Sequence, residues 1–217
     1  MKVTFTRTFV TAALALLFAG SAQALVITAE AGGVTTTSVA GATTIDFNDG
    51  TCGAYNSCSG DLTIFNTPSG TSQSAPPAGI NSPYLSVPNP NQNGSATLSL
   101  TTAANYFGLF WGSIDGYNTL SFYNGGVAGS EVASFTGSDI AAFIPGLANG
   151  DQASDASNRY FNFFFGSQLF DTIKMTSNGY AFETDNHAFA TVPEPGTLAL
   201  LALGLTGLAV ARRRRQA

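Results

Sequence analysis

The character of the fold is set by one stretch, Asn105-Tyr-Phe-Gly-Leu-Phe-Trp-Gly-Ser-Ile-Asp-Gly-Tyr-Asn-Thr-Leu-Ser-Phe-Tyr-Asn-Gly-Gly126. Its large apolar residues alternate, so that Phe107, Leu109 and Trp111 share one face. A period of two residues is that of a β-strand. The Asp-Gly pair at positions 115 and 116 is a turn signal. The stretch therefore predicts a hairpin of two strands in the middle of a sheet.

Segments on either side of this stretch show the same alternation. Residues 95–101 place alanine and leucine on one face, and residues 160–165 place three phenylalanines on one face. Asn178-Gly179 predicts a second hairpin, and residues 34–39 predict an opening strand. No long segment with a period of 3.6 residues precedes the C-terminal tail.

Two packed sheets are the natural way to bury a chain that is 12% aromatic and rich in turn residues. We therefore predict an all-β fold, a jelly-roll-like β-sandwich ectodomain at residues 25–190. The Pro-, Ser- and Asn-rich residues 67–93 form a long irregular connection, with a strand at residues 84–87. Connections of this length are often functional or mobile.

The N-terminal end has the features of a secretory signal peptide at residues 1–24. Lys2 and Arg7 precede an apolar stretch, and Ala22-Gln-Ala24 is a small-x-small cleavage site. We expect the Sec export machinery to recognise this segment and the mature chain to begin at Leu25. A first transmembrane helix is the weaker interpretation, because the apolar stretch is short.

The C-terminal end, residues 191–217, has three parts. Val192-Pro-Glu-Pro-Gly196 is followed by an uncharged apolar segment at residues 197–211. Four arginines then follow: Arg212, Arg213, Arg214 and Arg215. As a helix the apolar segment would be about 22 Å long, against about 30 Å of hydrocarbon in a bilayer. We predict a short transmembrane helix stopped by the arginines, which stay on the cytoplasmic side.

This tripartite tail resembles the PEP-CTERM sorting signal of Gram-negative bacteria, with Pro193, Glu194 and Pro195 in the motif positions. The resemblance implies that an exosortase, a membrane-embedded transpeptidase-like enzyme, recognises the tail and cuts near the motif. The catalytic residues of sorting then belong to the exosortase, and this chain is its substrate. An ordinary tail anchor is the alternative interpretation.

Charge and cysteine usage agree with export. Between the two signals lie twelve acidic residues and only two basic ones, a net charge of about −10. Nucleic-acid binding needs clustered Lys and Arg, so we expect no nucleic-acid partner. Cys52 and Cys58 are the only cysteines, and an oxidising compartment favours a disulfide between them. A zinc site is less favoured, because His187 is the only histidine.

No catalytic constellation is evident. His187 is the only candidate base for a serine hydrolase, and no Gly-x-Ser-x-Gly elbow accompanies it. Glycoside hydrolysis needs two carboxylates at a set separation. The ectodomain glutamates Glu30, Glu131 and Glu183 lie in ordinary strand or turn contexts, which favours solvated surface acids. We therefore expect no enzyme activity, and a secreted glycoside hydrolase is the less favoured alternative.

Two kinds of binding site stay open. A structural calcium ion would suit residues 44–46 and 183–186, where the first and last strands of a jelly roll are neighbours, although we expect no other cofactor. Trp111, Tyr117, Tyr123 and Tyr160 are candidates for stacking on a sugar. The pattern around Trp111 favours the core, and Tyr117, near the predicted turn, is the better surface candidate.

The sequence thus predicts an exported protein with an inner-membrane intermediate that ends at the cell surface or outside the cell. We expect a non-catalytic surface or extracellular-matrix protein associated with extracellular polysaccharide. A carbohydrate-binding module or an adhesin with structural calcium is the alternative.

Overall fold

The computed structural model of the chain describes residues 25–66, 71–144, 146–192, 204–206 and 212. A seven-stranded sheet contains β1 (Val26–Ala29), β2 (Thr43–Ile45), β4 (Thr63–Phe65), β5 (Tyr84–Val87), β7 (Tyr106–Trp111), β10 (Arg159–Phe164) and β12 (Phe182–Ala190). A five-stranded sheet contains β3 (Ser57–Gly60), β6 (Gly94–Ala104), β8 (Thr119–Asn124), β9 (Ser130–Thr136) and β11 (Phe170–Ser177). A short helix, α1 (Gly137–Ala141), follows β9.

Both sheets are antiparallel. The seven-stranded sheet has the order β1-β10-β7-β12-β5-β4, and β2 also pairs with β12. The five-stranded sheet has the order β3-β6-β11-β8-β9. The last strand of the chain, β12, therefore lies in the interior of its sheet, between β7 on one side and β5 and β2 on the other.

The aromatic core lies between the two sheets. Phe122 of β8 is fully buried, and its ring lies 5.5 Å from that of Phe107 in β7 and 5.7 Å from that of Phe163 in β10. Because these pairs join residues of different sheets, the sheets pack face to face. The all-β, sandwich-like prediction is confirmed at this level, and the jelly-roll connectivity stays a prediction.

The hairpin predicted around Asp115 and Gly116 is wrong. β7 pairs with β10 and β12 in one sheet, whereas β8 pairs with β11 and β9 in the other. The connection between β7 and β8 crosses the sandwich, and its residue Ile114 is buried in the core. At the start of this crossing a Cβ on Gly112 would lie 2.7 Å from the Cβ of Pro77, so a side chain there would force the backbone apart.

The second predicted hairpin, at Asn178-Gly179, is also a crossing. β11 lies in the five-stranded sheet and β12 in the seven-stranded sheet. A tight hairpin joins β8 to β9, with Gly125 and Gly126 at φ values of 87° and 74° in its turn. These conformations favour glycine, because a Cβ crowds the backbone there.

The opening strand predicted at residues 34–39 is likewise wrong. β1 opens the fold, and it pairs with β10. Side chains, rather than a strand ladder, fix residues 34–39: the Thr37 hydroxyl lies 2.5 Å from the Tyr106 hydroxyl, and the Ser38 hydroxyl donates to Glu30. The strand predicted at residues 84–87 is present as β5, within the long connection.

Several predictions fall outside the described residues. These are the signal peptide with Ala22 and Ala24, the motif residues Pro193, Glu194 and Pro195, most of the apolar segment, and Arg213 to Arg215. Of the tail, residues 204–206 and Arg212 are helical and exposed. Within the described ranges, no helix has both the length and the apolar character that crossing a bilayer requires.

Candidate functional site

The end of the sandwich from which the tail leaves is organised around Asn105. This side chain is 8% exposed. Its Oδ1 accepts a hydrogen bond of 2.6 Å from the backbone N–H of Val192, and its Nδ2 donates to the carbonyl oxygens of Val192 at 2.9 Å and Gly166 at 2.6 Å. An amide side chain carries both donor and acceptor groups, so it can bond the N–H and the C=O of one residue. Val192 is thus held as a strand neighbour would hold it.

Backbone groups complete this arrangement. The backbone N–H of Asn105 donates to Ala190 at 3.1 Å, and the N–H of Phe165 donates to the carbonyl of Asn105 at 2.8 Å. The Thr191 hydroxyl donates to the carbonyl of Ala103 at 3.3 Å. We call the group Ala103, Asn105 and Gly166, with its bonds to Thr191 and Val192, the exit clamp.

The exit clamp was not anticipated from the sequence. Asn105 begins the stretch that sets the fold, but its residue type indicates only a strand end or turn. Its role depends on the end of β12, 85 residues later in the chain. An open groove of about 320 Å³ lies beside the clamp, and its lining is uncharged: Gly41, Thr43, Thr102, Ala103, Ala104, Phe189, Ala190 and Thr191.

A second cluster, of buried acids, lies on the outer face of the seven-stranded sheet. Glu183 in β12 is 3% exposed. Its Oε1 accepts a hydrogen bond of 2.9 Å from the Ala75 backbone N–H, and its Oε2 accepts one of 3.1 Å from the Ser113 hydroxyl. Burial raises the pKa of Glu183 to about 7, although these hydrogen bonds favour the charged carboxylate. The prediction that Glu183 is a solvated surface acid is therefore wrong.

Asp185, two residues along β12, is 1% exposed. Burial raises its pKa to about 7, and hydrogen bonds from the Asn186 N–H and the Ser82 hydroxyl oppose this shift. The charge of Asp46 favours protonation further. The connection at residues 71–83 contributes the partners Ala75 and Ser82, so it covers both acids. We call residues 71–83 the cover segment.

His187 lies on the opposite face of β12, inside the core. The register of β12 shifts between Asp185 and Ala188, and Asn186 in the shift has a φ of 49°. Asparagine tolerates this left-handed conformation better than most residues. The shift lets the Asp185 side chain lie on the outer face of the sheet while the His187 side chain lies on the core face. The centroid of the His187 ring is 5.4 Å from that of the Phe107 ring.

His187 is sealed from solvent. It is 0% exposed, with Nδ1 2.8 Å from the Tyr55 hydroxyl and Nε2 2.8 Å from the Thr184 hydroxyl. Burial lowers the pKa of His187 to about 3. The ring is therefore neutral at pH 7 and acts as a packed, hydrogen-bonded core residue.

The buried acids give a prediction about pH. Burial gives Glu183 a folded-state pKa of about 7, against an ordinary pKa of 4.5 for a glutamate, so the folded protein binds more protons than the unfolded chain between these values. The free energy of unfolding therefore falls as the pH rises from about 4 to about 7. Between pH 5 and pH 8 we expect the free energy of unfolding of Glu183→Gln to fall by about 1–3 kcal/mol less than that of the wild type. Urea unfolding at the two pH values measures the difference.

The comparison must be between variants, because His187 acts in the opposite direction: its lowered pKa makes stability fall as the pH drops below about 6.5. The charged or titratable groups that interact with Glu183 are Asp115, Tyr84 and Tyr117. Glu131→Gln makes the same chemical change at an exposed site in β9 and is the matched control. An unchanged profile for Glu183→Gln would contradict the buried-acid assignment.

The disulfide and calcium predictions meet different outcomes. Cys52 and Cys58 are bonded, with Cα atoms 6.4 Å apart, so the predicted disulfide is present. β2 pairs with β12, which brings the segments predicted to hold calcium together. However, no group of three or more His, Cys, Asp or Glu side chains is arranged to hold a metal ion in the part of the chain that the structure describes. Structural calcium stays a prediction.

The four candidate aromatics do not form one platform. Trp111 is 0% exposed and stacks on Phe182 at 4.3 Å within the core, and Tyr160 is also 0% exposed. Tyr117 is 40% exposed, and its hydroxyl donates to Asp115 at 2.8 Å. The Tyr123 hydroxyl donates to Glu131 at 3.0 Å. Of the four aromatic residues, Tyr117 is therefore the one with a largely exposed side chain.

Comparison with protein families gives one match: residues 191–215 match the PEP-CTERM protein-sorting motif. This motif supports an exported protein that an exosortase processes, with a membrane-anchored intermediate before surface release. Comparisons with curated proteins and with solved structures give no match. The matched segment begins at Thr191, within the exit clamp.

Proposed function

We propose that this chain, which carries a PEP-CTERM protein-sorting motif at its C-terminal end, is a non-catalytic surface or extracellular-matrix protein released from its tail by an exosortase. The exit clamp carries the proposal. The hydrogen bonds of the domain extend to Val192, and Pro193-Glu-Pro195 follows at once. A cut within or after the motif separates domain from tail without breaking a hydrogen bond of β12.

The burial of the ionisable residues supports a non-catalytic role. A general acid or base must reach its substrate. His187 lies in the core, and the cover segment lies over Glu183 and Asp185, each of which already accepts hydrogen bonds from the protein. Their raised pKa values follow from this burial and from packing, and a secreted glycoside hydrolase is therefore the weaker proposal.

Association with extracellular polysaccharide is proposed from the composition of the surface. The exported domain has few charged residues, and its connections are rich in Asn, Ser and Thr, whose amides and hydroxyls suit hydrogen bonding to neutral glycans. The alternative is a carbohydrate-binding module or an adhesin. Tyr117 is the aromatic that favours this alternative, and a structural calcium ion beside Asp46 and Asp185 would accompany it. We propose no other cofactor.

Intact mass spectrometry of the protein recovered from the envelope and the culture fluid of its host tests the proposal. We expect a released form that begins at Leu25 and ends at or shortly after Val192, with or without an added group. The exit clamp sets the earliest cleavage position, because the chain lies in the sheet up to Ala190 and the clamp holds Thr191 and Val192. Peptide bonds in this part cannot enter an enzyme cleft without local unfolding. A mass that still includes Arg212 to Arg215 in every fraction would contradict exosortase processing.

A further inference from the structure

The segments that form the end of the sandwich around the exit clamp contain no charged residue. The strand registers place Val26, Phe164, Tyr106 and Ala190 in one row across the end of the seven-stranded sheet. The ends of the five-stranded sheet lie at the same end, because Asn105 alone separates β6 from β7 and residues 165–169 join β10 to β11. We call this the tail-exit end.

The segments that form the tail-exit end share one property: none contains Asp, Glu, Lys or Arg. They are residues 25–26, 40–43, 101–105, 124–129, 165–169 and 191–192. Two acids, Asp171 and Glu131, follow closely after two of these segments in the chain. The Asp171 carboxylate accepts hydrogen bonds of 2.8 Å and 3.1 Å from the backbone N–H groups of Gly125 and Gly126, so it is engaged by the turn.

Three large apolar side chains are exposed at the same end. Val26 and Val127 are each 49% exposed and Leu169 is 41% exposed. They come from three separate segments that the fold brings to one end. The opposite end is different, because its connections at residues 112–118 and 137–158 carry four acids: Asp115, Asp139, Asp151 and Asp155.

The length of the chain beyond the clamp decides what this end faces. Five Cα–Cα steps separate Val192 from Thr197, where the uncharged apolar segment begins. At most about 3.6 Å per residue, they span no more than about 18 Å. When the apolar segment is in a bilayer, the tail-exit end is therefore tethered within about 18 Å of the hydrocarbon, and the headgroup layer itself occupies about 5–7 Å of that distance.

We propose that the tail-exit end is a membrane-facing surface that lies against lipid headgroups while the tail is still attached. The inference rests on the proposed function, because it requires the tail to be in the membrane. The tether gives a high local concentration of the surface at the bilayer, so weak contacts from Val26, Val127 and Leu169 suffice. Electrostatics favours this orientation, because the acidic end of the domain is repelled by anionic lipid within about one Debye length, roughly 8 Å.

The test uses the uncleaved chain in vesicles of phosphatidylcholine and phosphatidylglycerol that contain a headgroup-nitroxide lipid. An environment-sensitive fluorophore is attached to one introduced cysteine at a time: Val127→Cys, Leu169→Cys, Phe143→Cys or Leu205→Cys. Cys52 and Cys58 are bonded to each other and do not compete for the label. Phe143 is the matched control, since it is 60% exposed and follows α1 in the connection at the opposite end.

We expect nitroxide quenching at positions 127 and 169 to be at least threefold stronger than at position 143. Leu169→Glu in the Val127→Cys protein should reduce quenching at position 127. Equal, weak quenching at positions 127, 169 and 143, together with strong quenching at position 205, would overturn the inference and leave tail anchoring intact. A blue-shifted fluorophore at position 169 without quenching by lipid would also overturn it, because it would indicate a protein partner.

The label at position 205 shows whether a negative result contradicts only the membrane-facing surface or also the proposed function. Leu205 lies in the apolar tail segment. If its label is accessible to a water-soluble quencher and is not quenched from the lipid, then the tail is not inserted and the membrane-anchored stage of the proposed function is wrong. If the position 205 label is protected, the other three labels report only on the orientation of the domain.

Discussion

Replacing Phe122 with alanine is expected to lower the free energy of unfolding by about 3–5 kcal/mol. The Phe122 ring is fully buried and packs against Phe107 and Phe163. Its centroid also lies 4.7 Å from that of the Phe165 ring and 5.1 Å from that of the Phe170 ring. Removing it leaves a cavity between the two sheets whose lining comes from both of them. Domains of this kind are stable by only about 5–15 kcal/mol, so the loss is a large fraction of the whole.

Urea unfolding of the purified domain measures this loss, and Phe143→Ala is the control. Both substitutions remove the same side chain, but Phe143 is 60% exposed, so its loss should change stability by no more than about 0.5 kcal/mol. If both variants lost the same stability, the Phe122 ring would not lie between the sheets. If Phe122→Ala does not fold at all, Phe122→Leu should retain the fold with a smaller loss.

Replacing Pro193, Glu194 and Pro195 with alanine is expected to abolish release of the domain. The residues lie in the segment that matches the PEP-CTERM motif, which an exosortase recognises. The variant should accumulate as a longer, membrane-retained form that keeps the arginine-rich end. Intact mass of the envelope fraction, compared with the wild-type protein, measures the change directly.

Two controls make this result specific. Glu131→Ala removes an exposed acid from β9 and should be processed as the wild type. The urea midpoint of the triple-alanine domain should also be unchanged, because the hydrogen bonds of the exit clamp end at Val192. Unchanged processing of the triple variant would mean that the tail is an ordinary anchor and that the motif plays no part in sorting.

The sequence predicts which residues face the core better than it predicts which strands pair. Alternation correctly places Phe107, Leu109 and Trp111 inside, and all three are fully buried. The turn signals at residues 115–116 and 178–179 failed, because a turn signal describes a local change of direction and two directions satisfy it. The chain can return along its own sheet or cross to the other one, and distant strands decide between them.

The functional residues were predictable to different degrees. The sorting motif is contiguous, so Pro193, Glu194 and Pro195 can be identified without a fold. Glu183 cannot, because alternation puts it opposite Phe182 but does not indicate that the cover segment lies over that face. Asn105 is equally hidden, since its partners lie 61 and 87 residues away in the chain.

The interior position of β12 has a consequence for the timing of folding. When a chain is synthesised and exported from its N-terminus, β12 is the last strand to emerge, yet it pairs with β7, β5 and β2. Until it arrives, the seven-stranded sheet is split, and two unpaired edges are open to proteases and to other chains. The sorting motif begins at Pro193, three residues after the end of that strand. A chain truncated before β12 therefore lacks both the completed sheet and the sorting motif.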